Sequence, residues 1–170
     1  ELEVSKGVEQ PKEHFWDVFN HSIESVGQLE RILQPEYSNH SQECEAGEFA
    51  IELIPKVDSM NGYFSAVIAD GYTRLAICKL ACLLHDIAKP TTKTTEDSGR
   101  IRFLGHNSKG AEIAESILKR LRFSGSTISL LCEQVRQHLR PSQMSPDNEL
   151  PSGKAIFRYF RDAGDAAIDT

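Results

Sequence analysis

The run Leu80-Ala81-Cys82-Leu83-Leu84-His85-Asp86-Ile87-Ala88-Lys89-Pro90 sets a titratable pair inside an otherwise apolar stretch. From Ile77 to Ala88 the side chains are apolar almost all round, which marks a central helix packed by neighbours on every side. That helix is expected to take Asp70 as its N-cap, to run through Tyr72, Leu75, Ile77, Leu80, Leu83, Leu84 and Ile87, and to be ended by Pro90. Burying a carboxylate without a partner costs several kcal/mol, so Asp86 requires a cation, a metal or a dense set of hydrogen bonds. Two roles stay open for the pair. Asp86 orients His85 or pairs with Lys89 three residues on, or both belong to a metal site.

Outward from this run, apolar spacing near 3.6 and Gly and Pro punctuation repeat the helical pattern. A first helix is expected from about Pro11 through Phe15, Val18, Phe19, Val26, Leu29, Ile32 and Leu33, stopping near Gln34-Pro35, with Phe15, Trp16 and Phe19 as core. Residues 35–62 are the least legible: Tyr37 to His40 reads as loop and Cys44 to Leu53 as a short acidic helix. Thr91 to Phe103, with Asp97-Ser98-Gly99 inside it, suits a small hairpin. Helical spacing resumes over Ala111 to Leu121 and Ile128 to Leu139, with Gly125 and Ser126 as the break. A loop from Pro141 to Pro151 then leads to a helix carrying Ile156, Phe157, Tyr159 and Phe160, and a last one begins near Asp165. The expected architecture is all-α, a bundle of about six or seven helices with at most a small hairpin.

The 170 residues suit one domain of the usual ~100–200. Because Ala167-Ile168-Asp169-Thr170 still looks helical, residues 1–170 are expected to be a single domain cut from a longer chain. With 39% hydrophobic and 26% charged residues, a disordered chain and a disulfide-stapled miniature are excluded. No apolar run approaches the ~18–20 residues of a spanning helix and no signal peptide is evident, so a cytoplasmic protein without membrane contact is expected. Cys44, Cys78, Cys82 and Cys132 form no CxxC pair and are expected to be reduced and structural. The net charge of −6 is uneven: residues 1–60 hold 13 acids and 4 bases, residues 61–170 hold 12 and 15.

Histidine is the commonest protein ligand for divalent transition metals, and carboxylates complete such sites. His21 lies in the first helix seven residues after His14, His106 follows Phe103-Leu104-Gly105 directly before a helix, and His138 ends a helix ahead of Arg140-Pro141. No local zinc pattern such as HExxH joins them. A site made from them would draw ligands from several helices. His14 and His40 are left as surface or supporting residues.

The order His21, His85-Asp86, His106, His138 resembles the HD superfamily of metal-dependent phosphohydrolases. It is most similar to the HD domain attached to bacterial tRNA nucleotidyltransferases and poly(A) polymerases. The carrying segments are Asp17-Val18-Phe19-Asn20-His21-Ser22, Leu83 to Pro90, Phe103-Leu104-Gly105-His106, Gly110-Ala111 with Ile117 to Ser124, and His138-Leu139-Arg140-Pro141. The resemblance implies an all-α HD fold with a metal centre between its helices. His21, His85 and Asp86 would hold one ion and His106 and His138 a second, with Asp86 between them. The family adds a late Asp in an Ala-Asp-x-Leu setting. Asp162, Asp165 and Asp169 lack that setting, so this ligand is expected beyond Thr170, with Asp165 or Asp169 as substitutes.

The donor types agree independently: two ions about 3.5–4 Å apart suit in-line displacement at phosphorus. Imidazole-rich ligation favours Mn, Fe, Co, Ni or Zn over Mg. Lys89, one turn past Asp86, and Arg140, just past His138, are candidate phosphate ligands, and each could equally be a surface cation. Lys109, Lys119, Arg120 and Arg122 read as a solvated helix face, because Glu112 and Glu115 interrupt them and no aromatic offers stacking. The expected function is hydrolysis of a phosphomonoester or phosphodiester of a nucleotide or RNA end, with Asp86 bridging the metals. The rival is a non-catalytic accessory domain beside a nucleotidyltransferase domain. No paired-carboxylate strand motif with a Gly-Ser turn is present, so these residues do not themselves add nucleotides.

Overall fold

In the computed structural model, residues 1–11, 15–33, 58–144 and 150–170 are described. The expected loop at Tyr37 to His40, the acidic helix at Cys44 to Leu53, the residues His14 and His40, and part of the Pro141 to Pro151 loop lie outside them.

A 3-10 turn, Leu2–Ser5, precedes helix α1, Val18–Leu33. The helix begins at Val18 and not near Pro11 because Asp17 caps it. Its Oδ1 accepts from Asn20 N at 2.8 Å and its Oδ2 accepts from Gly7 N at 2.7 Å, which also holds its carboxyl below the ordinary range. Phe15, left outside the helix, is 92% exposed and not part of the core.

Helix α2, Asp58–Ser65, leads into strands β1, Val67–Ala69, and β2, Tyr72–Thr73, which pair antiparallel. Asp70 and Gly71 both have positive φ, 57° and 77°, as a two-residue Asp-Gly hairpin turn requires. Asp70 is therefore not the cap of the central helix. Thr73 takes that role for α3, Arg74–Leu84, its Oγ1 accepting from Ala76 N at 3.2 Å. Asp70 instead reaches across the fold, accepting from Ser124 N at 2.8 Å and from Thr127 Oγ1 at 2.9 Å.

The central helix also ends earlier than expected. Pro90 has no N–H to offer the Asp86 carbonyl, and Lys89 N donates to it instead at 2.9 Å. His85 to Ala88 thus form a turn, and Pro90 opens the short helix α4, Lys89–Thr92. The expected hairpin follows as β3, Thr94–Thr95, and β4, Ile101–Arg102.

Helix α5, His106–Arg120, starts after Gly105, whose φ of 76° is costly for a side-chain-bearing residue. The chain breaks before Gly125. Arg122 N donates to Lys119 O and Phe123 N to Leu118 O, both at 3.1 Å, and Ser124 caps α6, Gly125–Gln137. Two further helices follow, α7, Arg140–Gln143, and α8, Gly153–Ala163. In place of a last helix near Asp165 there is a 3-10 turn, Gly164–Ala166. Among the described residues the architecture is all-α with two minor hairpins.

The core forms where α5 lies along α6, α6 crosses α3, and α3 packs on α1. Leu118, Leu131, Val135 and Ala114 have no exposed surface. Cys78 and Cys132 are buried free thiols and Cys82 a half-buried one. On the far side of the core, buried Asp169 accepts from Tyr63 Oη at 2.8 Å, Arg74 Nη1 at 2.7 Å and Gln134 Nε2 at 2.8 Å, tying the end of the chain to α2, α3 and α6. No helix among the described residues is long and apolar enough to cross a membrane.

Leu118→Ala is expected to lower unfolding free energy by about 2–5 kcal/mol, read from urea titrations with an unchanged m-value. The Ser124 N–H and the Ser124 and Thr127 hydroxyls keep the Asp70 carboxyl below 3.8 in the folded chain. Its stabilisation is therefore complete above the unfolded value and fades as pH falls through the folded one. Thermal melts should show Asp70→Ala below the parent at neutral pH, with the gap narrowing below about pH 4.

Candidate metal centre

Each histidine singled out in the sequence sits at or near the edge of a helix. His21 is in the first turn of α1, His85 directly follows α3, His106 is the first residue of α5, and His138 directly follows α6. The last carbonyls of a helix lack intrahelical partners, and two of these rings use them. Nδ1 of His85 lies 2.7 Å from Cys82 O, and Nδ1 of His138 lies 2.7 Å from Val135 O. His106 repeats the contact across the loop before α5, with Nδ1 2.6 Å from Phe103 O. A carbonyl only accepts, so each Nδ1 carries a proton, and the neutral form of each ring leaves Nε2 as its lone-pair atom.

All these Nε2 atoms converge on Asp86. His85 and His21 Nε2 lie 3.0 and 3.6 Å from its Oδ2, and His106 and His138 Nε2 lie 3.2 and 3.8 Å from its Oδ1. His106 and His138 Nε2 are 3.2 Å from each other. Asp86 itself is 1% exposed. Lys89 Nζ approaches Oδ2 to 2.8 Å and donates to Gln10 Oε1 at 2.6 Å. At Asp86 none of these approaches has the angle of a hydrogen bond, and both buried oxygens are left unsatisfied. Four imidazole rings and one ammonium thus crowd both oxygens without completing either.

Electrostatics follow from the same geometry. Burial opposes ionisation of Asp86, but the neighbouring His106 and His85 and the Lys89 ammonium outweigh it and hold the group well below the ordinary carboxylate range. Burial pushes His138 down to about 4, so its imidazole is neutral at pH 7.

Two three-residue clusters result, His21 with His85 and Asp86, and Asp86 with His106 and His138, the ligand atoms of each within 4.8 Å of one another. Imidazole lone pairs fixed by Nδ1–H bonds to carbonyls, around a shared ionised carboxylate, are a donor set for a divalent transition metal. Unsatisfied buried oxygens on Asp86 fit that reading, because a cation would complete them. Neither substitute for the late Asp joins the clusters. Asp169 spends both oxygens in its own network, and Asp165 lies in the 3-10 turn after α8.

The centre floors an open cleft of about 1040 Å³ whose lining includes Lys89. Arg140 is not in that lining. Its Nη1 lies 2.9 Å from Asp162 Oδ2, and its guanidinium sits over the Tyr159 ring. Arg100 and Arg102 of the β3–β4 hairpin do line the cleft, and sequence reasoning missed them. The available signal was their place on the hairpin next to His106. Gly110 lets α5 approach the His85–Asp86 turn, since a Cβ there would meet Val135 Cγ1 at 3.3 Å and His85 O at 3.4 Å.

A family profile for the HD domain matches residues 60–162, and the chain belongs to the HD domain family. Over 84 residues it is 39% identical to the CC-adding tRNA nucleotidyltransferase of Thermus thermophilus, covering 48% of this chain and 18% of that protein. It is 27% identical over 161 residues to the A-adding tRNA nucleotidyltransferase of Deinococcus radiodurans, covering 94% of this chain and 26% of that protein. The chain thus spans about a fifth to a quarter of the length of these curated relatives.

Adding Mn²⁺ at about 100 times its dissociation constant is expected to stabilise the protein by ~2.7 kcal/mol. Asp86→Ala should abolish that increment in thermal-shift measurements.

Proposed function

We propose that residues 1–170 form one HD domain of a longer protein and that its metal centre hydrolyses a phosphomonoester or phosphodiester of a nucleotide or RNA end. The observation that carries this reading is the ring of four imidazoles around both unsatisfied oxygens of Asp86, in the lining of an open cleft. Bound there, divalent ions would supply a nucleophile at neutral pH and offset charge developing at phosphorus. Imidazole-rich ligation favours Mn, Fe, Co, Ni or Zn.

His21, His85 and Asp86 form one ligand set and Asp86, His106 and His138 the other, with Asp86 shared. The carbonyl partners of His85, His106 and His138 keep their rings from turning. Lys89, lining the cleft beside Asp86, is assigned to the substrate phosphate, and its burial against Gln10 and the Phe103 ring limits where its ammonium points. Arg140, held by Asp162, serves packing in this reading and leaves the phosphate to Lys89.

The accessory-domain reading has its own support. Both relatives are tRNA nucleotidyltransferases by name, and this chain matches only a small part of each. There the domain would support a nucleotidyltransferase domain in the full-length protein, acting on RNA in the cytoplasm.

Elemental analysis of protein purified without a metal-affinity column is expected to find one or two transition-metal equivalents per chain, lost in Asp86→Ala. Assays on nucleotides, cyclic nucleotides and RNA ends should then show turnover that falls in His85→Ala and Asp86→Ala by at least the ~100-fold that loss of a supporting residue can cause. Metal retained with no turnover on any substrate would favour the accessory reading. No metal in the parent, even after reloading with Mn²⁺ or Ni²⁺, would sink the phosphohydrolase.

A further inference from the structure

The cleft lining draws on two peripheral segments. The β3–β4 hairpin supplies Arg100, Ile101, Arg102 and, beyond it, Leu104, while the N-terminal segment supplies Glu9 and Gln10. Arg102 is committed to the hairpin itself, its Nε donating to Glu96 Oε1 at 2.8 Å. Arg100 is exposed and makes no ion pair among the described residues. Its backbone is nonetheless held: Glu96 N donates to Arg100 O at 2.9 Å, Gly99 N donates to Glu96 O at 2.8 Å, and Arg100 N donates to Ser98 Oγ at 3.4 Å. A guanidinium without a carboxylate, carried on a tied turn at the rim of an anion-handling cleft, is placed to take a phosphate.

That phosphate is a second one. The floor already assigns its cations to the reacting group, with Lys89 beside Asp86. The cleft, about 1040 Å³, stands at the top of the ~300–1,000 Å³ range of small-molecule pockets. Leu104, 75% exposed, lies between floor and rim in sequence and offers an apolar face to a base.

We infer that the β3–β4 hairpin reads a phosphodiester upstream of the reacting phosphate through Arg100, so that the substrate is an oligonucleotide end and not an isolated phosphomonoester. This rests on the phosphohydrolase reading for what happens at the floor, but not for binding along the wall.

The test is fluorescence anisotropy with a five-nucleotide RNA bearing a 3′-phosphate and a 5′-fluorescein. It is recorded in EDTA, where no metal-assisted turnover competes, and again with Mn²⁺. Arg100→Glu should weaken binding at least about fivefold and flatten the dependence of log affinity on log salt by about 0.7, the share of one phosphate contact on a single strand. Arg100→Lys should recover part of the affinity, and Lys119→Ala, at an exposed position of α5 outside the cleft lining, should match the parent. Adenosine 3′-monophosphate should bind the parent and Arg100→Glu equally. An unchanged RNA affinity in Arg100→Glu would overturn the inference. So would an equal loss for the mononucleotide, or displacement of the RNA by ADP at the concentration of unlabelled pentamer that displaces it. Because the readout is binding, a catalytically silent protein that passes these tests loses only the hydrolase reading.

Discussion

Asp86 carries a negative charge where almost no water reaches it, and the surrounding helices are arranged around that charge. The carboxylate is 1% exposed and stays ionised although burial opposes it. Its compensation comes from widely separated parts of the sequence: His21 on α1, His85 beyond α3, Lys89 on α4, His106 on α5 and His138 beyond α6. An unpaired buried charge costs several kcal/mol, so the relative placement of five helices is coupled to one side chain. Donors gathered in this way could hold a cation, and a bound ion would couple folding of the centre to metal binding.

Helix ends do the positioning. A histidine just past a helix C-terminus finds an orphan carbonyl one turn back, and that single hydrogen bond sets both the tautomer and the ring direction. Asp17 sets where α1 begins and Thr73 where α3 begins, so His21 falls in the first turn of α1 and His85 directly past the end of α3. Asp70 adds a longer link, holding the β1–β2 turn to the start of α6. Across the core, Asp169 uses the same physics for structure alone: its carboxylate is buried but fully bonded to Tyr63, Arg74 and Gln134. The contrast between these two buried acids, one satisfied and one not, separates the candidate site from the scaffold.

Membership of the HD domain family accounts for the helical frame and for the adjacent pair at its centre. What lies beyond the floor differs in kind. The cleft walls come from the short 94–102 hairpin and the N-terminal segment, elements that contribute little to the core. Such peripheral elements are where specificity is commonly set on a shared fold.

From the sequence alone came the all-α class, the central apolar helix, the small hairpin after Pro90, and the histidines and aspartate to watch. All of these are written in local spacing or in the conflict of a carboxylate inside an apolar run. The boundaries were less legible. Asp70-Gly71 carries a hairpin-turn signal that the helical periodicity around it obscured, and Phe15 fits an apolar stripe yet lies in solvent because Asp17 starts the helix after it. Convergence of five side chains on Asp86, the commitment of Arg140 to Asp162 and of Asp169 to Arg74, and the arrival of Arg100 at the cleft were decided only by tertiary structure. Periodicity records which face of a helix is apolar, whereas these pairings depend on how far each helix is rotated and where it ends when it meets the others.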